Sequence, residues 1–317
     1  MRWRKALISG GAALGVAATF NALIGKRVEP LENLIGGDEG WFHWRGHRIA
    51  FTRRGSGPPL LLVHSVHAAA SSFEWRSNVG ALAEHHTVYT IDLLGFGLSD
   101  RPAIRYSARL YLALLADFAA QVIAAPTVLV ATSLAAAYAI VLGALDPGRF
   151  PALVLIAPTG LVRLHRSPST AGGMARYAVD SPVLGTAVFN AMVSRRSLRT
   201  YLERVYVDAG TATEELVEAL YTTAHQPGAK YAPSAFLSWH LNIDVRRALR
   251  RLLQPVLLVW GEQATETPAE DVRGFRALRP DMDIAILDPA GDLPHDERPG
   301  EFNEIVSTFL TRLRATV

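Results

Sequence analysis

Thr127-Val128-Leu129-Val130-Ala131-Thr132-Ser133-Leu134-Ala135 is the stretch on which the fold turns. Its first half is a continuous apolar run of the kind that suits a parallel strand buried on both faces. From Leu134 to Leu145 the pattern becomes helical, so the chain passes from strand to helix at Ser133. A serine in that place is either an exposed side chain on a sharp turn or a plain helix N-cap.

Working outward, the same alternation repeats on both sides. Trp41–Arg45 and His47–Arg53 read as a hairpin turning at Gly46, and Gly55-Ser56-Gly57-Pro58 leads into the buried run Pro59–His64. Ser72–His85 reads as helix, His86–Leu93 as strand, Ala108–Ile123 as helix and Ala152–Ala157 as strand. Strands alternating with helices imply an α/β architecture, a mostly parallel central sheet flanked by helices. Between Gly160 and about Arg251 the alternation stops, and the sequence is helical throughout. Pro255–Trp260 resumes the sheet, followed by helix over Thr267–Leu278, a last strand at Asp283–Leu287 and a last helix at Glu301–Leu313. A helical insert before the penultimate strand acts as a cap over the strand ends, where α/β ligands bind. Residues 28–159 and 252–317 are thus expected to form the core, and 160–251 the cap.

Composition narrows the function. There is no cysteine, which removes disulfides and thiol chemistry. The net charge of +3 is carried by residues 1–27, which hold five basic side chains and no acid; the rest sums to −2 and shows no nucleic-acid footprint. The insert is locally basic, with eleven Arg and one Lys against seven acids. That is read either as a solvated surface or as a face for anionic lipid or substrate. Met174, Tyr177, Phe189, Met192, Phe236 and Trp239 in the insert suit an apolar ligand or ordinary core packing.

Ala6–Gly25 carries no charge and is bounded by Lys5 and Lys26. Twenty residues at helical rise span about 30 Å, the hydrocarbon thickness of a bilayer. Residues 1–27 are expected to be a membrane anchor or, with Val16-Ala17-Ala18 as a cleavage site, a signal peptide. Three positive charges before the run and two after it direct the domain to the extracytoplasmic side.

Four segments, in order, resemble the capped α/β-hydrolases, the group that includes haloalkane dehalogenases, proline iminopeptidases and carbon–carbon bond hydrolases. They begin at Gly55-Ser56-Gly57-Pro58 with its strand to His64, and at Asp92-Leu93-Leu94-Gly95-Phe96-Gly97-Leu98-Ser99-Asp100. The others are Pro255–Glu262 and Leu293-Pro294-His295-Asp296-Glu297. The resemblance implies the α/β-hydrolase fold from about residue 41 onward, with Ser133 as the nucleophile of a G-x-S-x-G elbow. Here both glycines are alanines, Ala131 and Ala135. It further implies oxyanion donors at the backbone of Val66 and Leu134, with Ser65 in place of a glycine and His67 able to reach the pocket.

The resemblance also implies an acid at position 264 and a histidine base at position 292. The chain has Ala264 and Asp292. Glu262, Glu266 and His295 are the nearby substitutes. Losing the histidine of a serine triad costs about 10⁶ in turnover. The resulting expectation is a membrane-tethered hydrolase-fold protein without a standard triad, with ordinary serine-ester hydrolysis disfavoured. It would be a non-hydrolytic protein binding an apolar small molecule, a lipid or a protein partner. Two enzymatic alternatives stand beside it. One is rebuilt lyase, cyclase, isomerase or unusual esterase chemistry with Ser133 and Asp292, and the other an esterase using Ser133 with His295. No cofactor, metal or nucleic acid is implied.

Overall fold

The computed structural model describes residues 2–26, 28–165 and 170–315. Among them, eight strands form one sheet: β1 (Asp38–Trp44), β2 (His47–Arg54), β3 (Pro59–Val63), β4 (Thr87–Ile91), β5 (Val128–Thr132), β6 (Leu153–Ile156), β7 (Val256–Gly261) and β8 (Asp283–Leu287). Their order across the sheet is β1-β2-β4-β3-β5-β6-β7-β8. The β1–β2 and β2–β4 pairs are antiparallel and every other pair is parallel. Burial follows sequence: the apolar runs of β3 to β7 lie inside on both faces, while β1 at the edge alternates buried and exposed. The β1–β2 hairpin closes on Arg45 and Gly46, both at positive φ, the conformation a two-residue hairpin turn requires.

The long helices are α1 (Arg2–Gly25), α2 (Ala108–Phe118), α3 (Ser133–Leu145), α4 (Thr170–Asp180), α5 (Leu184–Met192), α6 (Arg195–Val205), α7 (Glu214–Ala224), α8 (Val272–Leu278) and, after the short α9 (Pro294–Glu297), α10 (Pro299–Ala315). Helices α4 to α7 lie between β6 and β7 and form the cap inserted before the penultimate strand. The helix expected over Ser72–His85 is instead a 3₁₀ turn, Ser72–Trp75, followed by a short helix, Val79–Leu82. Tertiary hydrogen bonds win over local helix here. Ser72 N–H donates to Asp92 Oδ1 at 2.6 Å, and the buried Asn78 amide donates to His295 O at 2.8 Å.

The cap is tied down near the end of α6. Asp292 N–H donates to Val205 O at 2.8 Å, and Glu297 accepts from the N–H groups of Val207, Asp208 and Gly291. Arg76 and Tyr206 both donate to Asp296, a nearly buried carboxylate bridging core and cap. Several of the cap's arginines are paired, Arg195 with Glu218, Arg199 with Glu214 and Arg204 with Glu266. This favours the solvated-surface reading of the local positive charge. Of the apolar cap residues, Phe189 is buried, whereas Met174, Tyr177 and Met192 are largely exposed.

The expected membrane anchor is overturned. Among the described residues, no helix is long and apolar enough to cross a membrane. Residues 6–25 lie on α1, whose later turns pack against α5 of the cap. Ala17 is buried there. Asn21 donates to Val183 O at 2.9 Å and accepts from Asn190 at 3.1 Å, so the residue that interrupts the apolar run is a docking group. The tether through residues 6–25 and the extracytoplasmic placement built on it are withdrawn with it.

Candidate active site

The connection from β3 leads to β4 on one side of it, while β5 lies on the other. Such a reversal opens a crevice at the carboxyl ends of the two strands. Both loops that begin there carry expected site residues, and the register Val63↔Ala131 starts them side by side. Ser133 holds φ at +50° on the turn from β5 into α3. A left-handed non-glycine residue costs on the order of 1–3 kcal/mol and persists where the surroundings enforce it. The surroundings do so here: Ala131 and Ala135 are wholly buried, and Thr159 N–H donates to Ser133 O at 3.2 Å. The two methyl groups at the family's glycine positions are therefore accommodated, and the sharp turn survives.

The loop after β3 is pinned by His64. Its Nε2 accepts the Leu93 N–H at 3.0 Å, which leaves the proton on Nδ1, 2.5 Å from Ser65 O. Among the described residues, no protein group accepts the Val66 N–H. Leu134 lies in the first turn of α3, where N–H groups have no partner within the helix. Both N–H groups belong to the segments that follow β3 and β5.

The centre of the site is a residue that sequence reading passed over. Glu74, on the Ser72–Trp75 turn, is buried with its carboxylate against three segments. Oε2 accepts the Ser65 N–H at 3.0 Å and the Ser65 hydroxyl, and Oε1 accepts the Thr132 hydroxyl at 2.6 Å. His295 Nε2 lies 3.3 Å from the same Oε1, at ion-pair distance though off the line of a hydrogen bond. Burial pushes the Glu74 carboxyl up, but His295, Ser65 and Thr132 outweigh it and hold the value down to about 2. One carboxylate therefore staples the loop after β3 to the residue before Ser133 and faces an imidazole. The only sequence signal was an acid inside the otherwise apolar or hydroxylated run Ser71–Trp75.

His295 itself is wholly buried, with its ring 4.8 Å from Trp75 and edge-on to Phe302 at 5.8 Å. Asp292 is held differently. Its two oxygens accept the N–H groups of Thr265, Glu266 and Thr267 at 2.9–3.1 Å, and the Thr265 hydroxyl at 3.0 Å. It clamps the loop after β7, and among the described residues no hydrogen bond joins it to Ser133. Ala264 is buried inside that loop, Glu266 pairs with Arg204 on α6, and Glu262 is exposed. Among the described residues, neither expected substitute acid pairs with His295, whereas Glu74 does.

His67, next after Val66, is half-buried. Its Nδ1 accepts the Ala69 N–H at 3.2 Å, and its ring lies 5.7 Å from that of Tyr201 on α6. Burial lowers the His67 value to about 4 against the opposing pull of Glu74, with His64 adding to the fall. A cleft of about 810 Å³ opens beside the Ser71–Phe73 end of the Glu74 turn. Leu34, Trp41, Phe51 and Phe73 line it, with Glu39 and Glu215 among its acids.

Comparison with known proteins agrees with this fold. Residues 60–305 match the alpha/beta hydrolase family. The chain is 25% identical over 275 residues to the 2-hydroxy-6-oxo-6-(2'-aminophenyl)hexa-2,4-dienoic acid hydrolase of Metapseudomonas resinovorans, covering 84% of this chain and 89% of that one. It is 25% identical to the pimeloyl-[acyl-carrier protein] methyl ester esterase of Aeromonas salmonicida, covering 83% and 99%. The crystal structure of a serine hydrolase involved in carbazole degradation superposes with a TM-score of 0.72, at 23% identity over 86% of this chain and 98% of that one. Relatives named as hydrolases and esterases overturn the expectation that serine hydrolysis is disfavoured, and with it the non-hydrolytic, degenerate-triad reading. The physical reason lies in the fold: the test at positions 264 and 292 could not see a carboxylate brought to His295 from position 74. The chain belongs to the alpha/beta hydrolase family.

Proposed function

We propose that this protein is a serine hydrolase that cleaves an ester of uncharged, largely apolar character. Ser133 Oγ attacks the acyl carbon, and the oxygen that becomes negative is met by the Val66 and Leu134 N–H groups. His295 takes the serine proton and returns it to the departing alkoxide, so the alcohol leaves neutral and an acyl-Ser133 remains. Water then attacks the acyl group by the same route and restores the serine. Glu74 stabilises the imidazolium formed in each half, the part an aspartate plays in a serine triad. Asp292 takes no proton in this scheme and holds the 265–267 loop.

The observation that carries the reading is the single Glu74 carboxylate in contact with Ser65, Thr132 and His295. The ester class is supported by the relative named as a methyl ester esterase and by the carboxylates of the neighbourhood, which repel an anionic substrate. Hydrolysis of p-nitrophenyl butyrate by the full chain tests it. Ser133→Ala and His295→Gln should each lower kcat by about 10³-fold or more. A Ser133→Ala variant as active as the parent would contradict the reading.

A further inference from the structure

His67 takes no part in the proton transfers of Ser133 and His295. Its tautomer is fixed by the fold: Nδ1 accepts the Ala69 N–H, so in the neutral ring the proton sits on Nε2. Among the described residues, no protein group accepts that Nε2–H. That donor is not sealed in the interior, so water or a ligand can meet it. Its place in the chain says which ligand. His67 follows Val66 on the loop that Glu74 staples to the turn of Ser133, through Ser65 on one oxygen and Thr132 on the other.

We infer that His67 is a catalytic residue of this reaction, donating its Nε2–H to the oxygen of the substrate's reacting carbonyl beside the Val66 and Leu134 N–H groups. The inference rests on the hydrolase reading and specifies it further. The charged and titratable groups around the ring are Glu74 on the Ser72–Trp75 turn, His64 on its own loop and Tyr201 on α6 of the cap. Tyr201 in turn sits near Asp292, Glu266 and Arg204. Burial keeps the ring uncharged despite Glu74. A neutral imidazole donates to a carbonyl without forming an ion pair with Glu74, and the ring stays neutral above about pH 4. Tyr201 is a positioning residue that holds the ring from the cap side. Substrates with an uncharged carbonyl flanked by apolar groups fit this arrangement. Those carrying a carboxylate beside the carbonyl meet Glu74, Asp292 and Glu266.

Two measurements on the full chain test this. Nitrogen NMR of histidine-labelled protein should show His67 as the Nε2–H tautomer, uncharged from about pH 8 to about pH 5, where an ordinary imidazole titrates. With p-nitrophenyl butyrate, His67→Phe should lose roughly 10²-fold in kcat at nearly constant KM, the effect of removing one oxyanion donor. His67→Gln, which keeps an N–H near the same place, should recover about tenfold or more of that loss. An Nδ1–H tautomer, a titration near the ordinary imidazole value, or a His67→Phe variant with parental kcat would overturn the assignment while Ser133-dependent turnover stood. Absence of Ser133-dependent turnover in the parent would overturn the hydrolase reading and this role together.

Discussion

Glu74→Gln is the substitution that asks most of this structure. The amide is nearly isosteric, so packing is retained while charge is lost. The carboxylate receives the Ser65 N–H at 3.0 Å, the Ser65 hydroxyl and the Thr132 hydroxyl at 2.6 Å, with His295 at 3.3 Å. An amide offers one acceptor oxygen, so its NH₂ must face either the Ser65 N–H or the ring of His295. Holding a buried carboxyl at about 2 instead of 4.5 corresponds to about 3 kcal/mol of preference for the charged form. The variant should therefore unfold about 5–10 °C below the parent at neutral pH. The sign with pH follows from a folded value lying below the unfolded one. This stabilisation is fully present above about pH 4.5 and is lost as pH falls toward about 2. The gap between parent and variant should narrow over that window. Turnover should fall by about 10²-fold or more, since the imidazolium loses its counter-charge. Calorimetry across that pH range with ester kinetics at neutral pH checks both parts. A Glu74→Gln protein with parental unfolding temperature and parental kcat would refute the role given to this carboxylate.

Asp292→Ala should destabilise the fold by about 2–4 kcal/mol, because three N–H groups of the 265–267 loop lose their acceptor; the urea midpoint reads this. Asp292→His should be no better and should not raise turnover, since a neutral imidazole cannot accept those three donors. Asn21→Ala should free the later turns of α1 from Val183 and Asn190 at a cost of about 1 kcal/mol, seen as faster amide exchange there with kcat unchanged. Tyr206→Phe should leave the buried Asp296 with Arg76 alone and raise protease sensitivity around Val205–Asp208.

What the sequence showed and what it hid divide along a physical line. The buried parallel strands were legible because each is a short continuous apolar run, and the cap because alternation stops between β6 and β7. Ser133 was legible because a strand meets a helix there, and the alanines at 131 and 135 concealed nothing that packing could not absorb. Glu74 was hidden because its meaning lies in partners 58 and 221 positions away, at Thr132 and His295. Asp292 was legible as an oddity but not in its use, since clamping three backbone N–H groups leaves no side-chain pattern. The uncharged run at Ala6–Gly25 misled because hydropathy alone does not separate a helix docked on its own cap from one in lipid. Asn21 docks it, and a lone amide in an apolar run does not announce its distant partners Val183 and Asn190.

The most direct test of the central claim is covalent labelling of the full chain by an alkyl fluorophosphonate, read by mass spectrometry of intact protein and peptides. A single adduct on Ser133 is expected, abolished in Ser133→Ala and slowed by about 10²-fold or more in His295→Gln. No adduct at Ser133 in the folded parent protein, or equal labelling in Ser133→Ala, would contradict the account.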